Sequence, residues 1–156
     1  MTTIGVLQPG GINFGNTTLA YFQEGTWTPT IISTGTNFTS VTYVTQKGWY
    51  SKIGSTVFIN FIVQWSNTSG SPSGTLQIAG LPFASNANSY SGSGCSYTNI
   101  VTPSTNTPTV TLEIIFGTQV INVNAVGQGF AAVNCTASAN SGATSRYITS
   151  ALFYYV

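Results

Sequence analysis

Between residues 56 and 66, Val57, Ile59, Phe61, Val63 and Trp65 alternate with Thr56, Phe58, Asn60, Ile62, Gln64 and Ser66. Successive side chains of a strand point to opposite sides of the pleat, so a sustained period of two marks a strand with one buried face. The first set is wholly apolar and belongs to a core. The second is mixed, which suits a partly covered outer face or a contact between subunits. A helix would need the 3.6-residue period with caps, and no window of the chain supplies them.

The same pattern recurs along the chain. Strands are predicted over residues 42–47 and 49–53, with Gly48 between them, and Gly54-Ser55 makes the turn into 56–66. Further strands are predicted over 75–79, 93–101, 109–116, 119–126, 129–137 and 145–156. Gly117-Thr118 reads as a hairpin turn, and 126–129 as another tight turn. Thr, Val, Ile, Tyr and Phe dominate, as in strands. Many short strands divided by Gly, Ser, Asn and Pro indicate an all-β, antiparallel β-sandwich or jelly roll. The expected organisation is an extended N-terminal arm over 1–20 and a single sandwich domain over 21–156. In the arm, Ile4, Val6, Leu7, Ile12, Phe14 and Leu19 recur between glycines and a proline. Apolar residues spaced in this way suit a segment lying along another surface, so these six are the candidate anchoring residues.

Charge narrows the function. Only 3% of the 156 residues are charged, against about 25% in an ordinary soluble domain. The charged side chains are Glu24, Glu113, Lys47, Lys52 and Arg146, and there is no His. General acid–base catalysis draws on His or a tuned carboxylate. Glu24 and Glu113 are far apart in sequence, so the chain reads as non-enzymatic, with no catalytic residues. No clustered carboxylates or Cys/His sets are available for a metal, and no cofactor is expected. Three scattered basic residues cannot supply the phosphate neutralisation that nucleic-acid binding needs. No stretch approaches the roughly 20 apolar residues of a membrane helix, and the N-terminus lacks the basic region of a signal peptide. Cys95 and Cys135 have no metal-knuckle or redox spacing and read as free thiols. A nearly neutral surface offers little self-repulsion, which suits a subunit buried in an assembly. A monomer solubilised by hydroxyls and amides is the other reading.

Residues 24–83 carry a resemblance. The segment Glu24-Gly25-Thr26-Trp27-Thr28-Pro29-Thr30 is followed by Gly48-Trp49-Tyr50-Ser51-Lys52-Ile53-Gly54, the hydrophobic strand from Val57, and Leu76-Gln77-Ile78-Ala79-Gly80-Leu81-Pro82-Phe83. In this order the pieces resemble a module of tailed-phage structural proteins found at fibre tips and as capsid decoration. The second half of the chain matches only in its β character. The resemblance implies a virion protein, assembled in the host cytoplasm, that works as a homotrimer. The family's modules sit at the end of longer fibre or tail proteins. Here about twenty residues precede the module and no shaft does. The expectation is therefore a trimeric capsid decoration (cement) protein, with the major capsid protein as partner. The alternative is the receptor-binding tip of a tail fibre that recognises a host surface glycan. Its candidate contacts are Asn86, Asn88, Tyr90, Tyr97 and Asn99, since rings stack on sugar faces and amides pair with hydroxyls. Ordinary turn and packing roles are the competing reading of those five.

Overall fold

The computed structural model describes residues 22–88, 94–104, 109–127 and 130–156, with three short N-terminal strands; of those strands and of residues 94, 95 and 130 it describes the backbone alone. The N-terminal strands are β1 (Leu7–Gln8), β2 (Gly11–Asn13) and β3 (Thr18–Leu19), which pair antiparallel with one another in a sheet of their own. In chain order there follow β4 (Phe22–Trp27), β5 (Thr30–Ser33), β6 (Ser40–Ile53), β7 (Thr56–Ser69), β8 (Leu76–Ala79), β9 (Gly94–Cys95), β10 (Tyr97–Thr98), β11 (Thr109–Ile114), β12 (Val120–Gly127), β13 (Phe130–Asn134) and β14 (Arg146–Tyr155). Among the described residues, one 3-10 turn covers Ser138–Asn140.

Two antiparallel sheets make a β-sandwich. The first has the order β10-β14-β7-β6-β4, and the second β5-β8-β12-β11-β9, with β13 pairing beyond β8 on the same edge of β12. The core lies between them. Trp27, Val57, Ile59, Phe61, Val63, Trp65, Ile148, Leu152 and Tyr154 enter it from the first sheet. Ile31, Leu76, Ile78, Val110, Leu112, Ile114, Ile121, Val123 and Ala125 enter it from the second. Each large apolar side chain so buried contributes about 1.5–3 kcal/mol of transfer free energy. The alternation over 56–66 is thus realised as expected, with all five apolar residues of its first face buried.

Three expected boundaries differ. Gly48 does not divide two strands, because β6 runs through it and pairs with β7 from Ser40 to Ile53. Its irregularity lies earlier, where register shifts flank Tyr43 and leave the exposed Val44 out of the pairing. The Tyr43 hydroxyl accepts the Ile31 backbone N–H at 2.9 Å, which ties the first sheet to the edge of the second. The strand expected over 93–101 is two strands in two sheets. β9 pairs with β11, β10 pairs with β14, and the chain changes sheet at Ser96. Such corners let one chain close both layers of a sandwich. Lastly, β13 stops at Asn134, and the chain turns through Ala137 into the 3-10 turn.

Cys135 is buried and free. Cys95 pairs with Thr111, Thr111 with Asn124, and Asn124 with Asn134, beside Cys135. Three strand spacings of about 4.8 Å separate the two cysteines, far beyond the roughly 7 Å a disulfide spans. The register therefore rules out a bridge between them.

Candidate functional site

The four pieces of the sequence motif meet in space. β4 and β6 pair so that Gly25 faces Tyr50 and Trp27 faces Gly48. Each glycine lies under the ring opposite. A Cβ at Gly25 would come within 2.9 Å of Tyr50 Cε1, and one at Gly48 would overlap the Trp27 indole. The Trp27 ring meets Phe61 edge-on at 5.4 Å, and Tyr50 meets Phe83 at 5.3 Å with the rings perpendicular. Phe83 is fixed further by its backbone, whose carbonyl accepts from the Tyr154 hydroxyl at 3.1 Å. Lys52 Nζ stands 5.8 Å from the Phe83 ring centroid. The motif's glycines and aromatics are therefore complementary halves of one packed corner. Gly54 (φ 58°) forms the tight turn from β6 into β7.

The carboxylates do not form a catalytic pair. Glu24 lies on β4 in the first sheet and Glu113 on β11 in the second, both exposed on the outer faces. Glu113 Oε2 accepts from Asn124 Nδ2 at 3.0 Å. Among the described residues no three His, Cys, Asp or Glu side chains group as a metal site, and no helix is long and apolar enough to cross a membrane.

Of the anchoring candidates, Ile4, Val6 and Phe14 lie outside the described residues. Leu7, Ile12 and Leu19 are direct register partners across β1, β2 and β3. Of the glycan candidates, Tyr90 lies outside the described residues. The other four fall in two places. Asn86 and Asn88 are in the loop after Phe83, where the Asn86 N–H donates to the Tyr155 carbonyl at 2.7 Å and Asn86 Oδ1 accepts from the Asn88 N–H. Tyr97 pairs with Thr149 on β10, and Asn99 follows it. Six residues of β14 separate these places, about 20 Å along the strand. The Asn99 amide is also engaged, accepting from the Tyr147 N–H at 2.8 Å and donating to the Ser145 carbonyl at 3.0 Å.

The most conspicuous surface is the outer face of the first sheet. Trp49, Ile53, Phe58, Phe153 and Tyr155 are exposed on it, with Phe22 on its β4 edge and Tyr97 on its β10 edge. Phe58 lies opposite Phe153 in the register, with ring centroids 6.2 Å apart, and Phe153 contacts Tyr155 edge-on at 6.3 Å. Asn60 and Ala151, also register partners, are smaller. Together with Trp49, Phe58 and Phe153 they line a shallow depression of about 380 Å³. Phe58 and Ile62 in the mixed face of the central strand were the sequence signal for this surface. Trp49, Phe153 and Tyr155 join it only through strand pairing.

No family model matches the chain, and no curated protein matches it. Among solved structures the chain is similar to the crystal structure of the Dettilon tailspike protein, with 24% sequence identity and a TM-score of 0.66. The match covers 86% of this chain and 24% of the tailspike chain. The chain thus spans about a quarter of that protein's length, and at this identity the likeness is one of fold.

Proposed function

We propose that this chain is a non-enzymatic structural module of a tailed-phage particle, carried at the tail as part of a spike or fibre and working as a homotrimer. The observation that carries the reading is the shared fold with a tailspike over 86% of the chain. The motif residues supply independent support, since Gly25, Trp27, Gly48, Tyr50 and Phe83 form one interlocked packing unit. Separation of Glu24 and Glu113 onto opposite faces supports a non-catalytic role. The fold likeness favours tail proteins as partners over the major capsid protein that cement attachment would require. A second reading, capsid decoration, draws its support from the separate N-terminal sheet in which Leu7, Ile12 and Leu19 align. Cryo-electron microscopy of the intact particle tests both. Density for the chain at the tail or at spike or fibre ends is the expected result. Regular density on the capsid would replace the tail reading with the decoration reading, and absence from purified particles would refute both.

A further inference from the structure

We infer that the outer face of the first sheet is the surface by which three copies of this chain associate, with Trp49, Phe58 and Phe153 turned toward a common three-fold axis. The inference deepens the trimeric reading above and takes the number of copies from it. The occupant of the face is a second and a third copy of the same chain.

The face has the composition of a buried interface. Its large exposed side chains are aromatic or aliphatic, and aromatics are the residues enriched where protein surfaces meet. Its charged residues are Glu24 and Lys47, on β4 and β6, and the central strands β7 and β14 direct no charge outward. Five strands about 4.8 Å apart give a width of about 24 Å, and β14 a length of about 34 Å. Allowing for the shorter outer strands, the area is of the order of 700 Å², comparable with the roughly 800 Å² each partner contributes to a stable interface.

The width also suits three copies. Three sheets about 24 Å wide, set as the sides of a triangular prism, place the axis about 7 Å from each backbone plane. Two sheets packed face to face lie about 5 Å from their midplane. The longer reach to a three-fold axis is one that aromatic side chains fill better than aliphatic ones, and this face supplies aromatics at Trp49, Phe58 and Phe153. A ring of three also needs two different edges to meet, since cyclic trimers are heterologous. The two edges here end in different exposed aromatics, Phe22 (54% exposed) on β4 and Tyr97 (73%) on β10.

The test is the mass of the 156-residue chain by sedimentation equilibrium, for the wild type and for Phe58→Glu, Ala151→Arg and Val133→Glu. Val133 is exposed on β13 in the second sheet and serves as the control. The wild type and Val133→Glu are expected as trimers. Phe58→Glu and Ala151→Arg are expected to dissociate at least roughly a hundredfold more readily, because each would bury an unpaired charge at the axis, while keeping the far-ultraviolet circular dichroism of the wild type. A monomeric or dimeric wild type would overturn both the trimer and this surface. A wild-type trimer unaffected by both face substitutions would overturn the surface and leave the trimer standing. If the charged variants fail to fold, hydroxyl-radical footprinting of the wild type decides. Protection of Trp49, Phe58 and Phe153 relative to Val133 on the second sheet supports the inference, and labelling in proportion to their exposure in the single chain overturns it.

Discussion

Substituting Gly48 by Ala separates packing from propensity, because the two predict opposite signs. Gly48 sits in the interior of β6, paired with both β4 and β7, and a strand interior disfavours glycine. On backbone entropy alone, Gly→Ala there should stabilise by about 0.5–1 kcal/mol. The structure predicts the reverse. A Cβ at position 48 would overlap the indole of Trp27, a residue only 8% exposed whose ring packs on Phe61. If Trp27 shifts within its site, overpacking costs about 1–3 kcal/mol. If it is expelled, the cost approaches the 3–5 kcal/mol or so of losing a buried aromatic. Net of the entropy gain, Gly48→Ala should destabilise by roughly 2 kcal/mol. The assay is urea denaturation followed by far-ultraviolet circular dichroism at one fixed chain concentration, since association contributes to apparent stability. A double-mutant cycle with Trp27→Ala isolates the cause. With the indole removed, Gly48→Ala should become neutral or stabilising. A wild-type-background Gly48→Ala protein as stable as its parent, or one equally destabilised without Trp27, would refute the reasoning.

Two further predictions concern buried polar groups. Asn140 is 1% exposed, and its Nδ2 donates to the carbonyls of Val101 (3.1 Å) and Thr136 (3.0 Å) while its Oδ1 accepts the Val101 N–H at 2.7 Å. Asn140→Ala should cost roughly 3 kcal/mol by leaving these groups unpaired, and a loss below about 1 kcal/mol in denaturant titration would show that water replaces the side chain. Alkaline pH should weaken the fold. Burial pushes the Tyr154 hydroxyl up to about 12, partly opposed by its hydrogen bond to the Phe83 backbone, and burial raises Tyr43 as well. The unfolded chain releases these protons near the ordinary value of 10.0, so stability should hold below about pH 10 and fall as pH rises toward 12. Urea midpoints measured across that range check this, and a midpoint constant to pH 12 would contradict it.

The order of glycines and aromatics over residues 24–83 is legible in the sequence, but the physical reason for Gly25 and Gly48 is not. In sequence Gly48 reads as a break between two strands, and Gly25 has no role beyond its place in the motif. They are instead the flat places on which Tyr50 and Trp27 lie from the neighbouring strand. Register between β4 and β6 makes those pairs, and no local pattern announces it. Asn140 is similar, since an Asn between Ala139 and Ser141 looks like a loop residue until Val101 and Thr136 are brought around it.

By itself the sequence determined the fold class, the buried face of the central strand and the scarcity of charge. Side-chain alternation is set by adjacent residues, and ionisable groups can be counted without coordinates. Only the tertiary structure decided which strands share a sheet. It placed Glu24 and Glu113 on opposite faces, set Cys95 and Cys135 three strands apart, and divided the glycan candidates between two sites. It also gathered Trp49, Phe58, Phe153 and Tyr155 onto one uncovered face. Those outcomes depend on pairings between residues tens of positions apart, and the energy of such a contact belongs to neither segment alone.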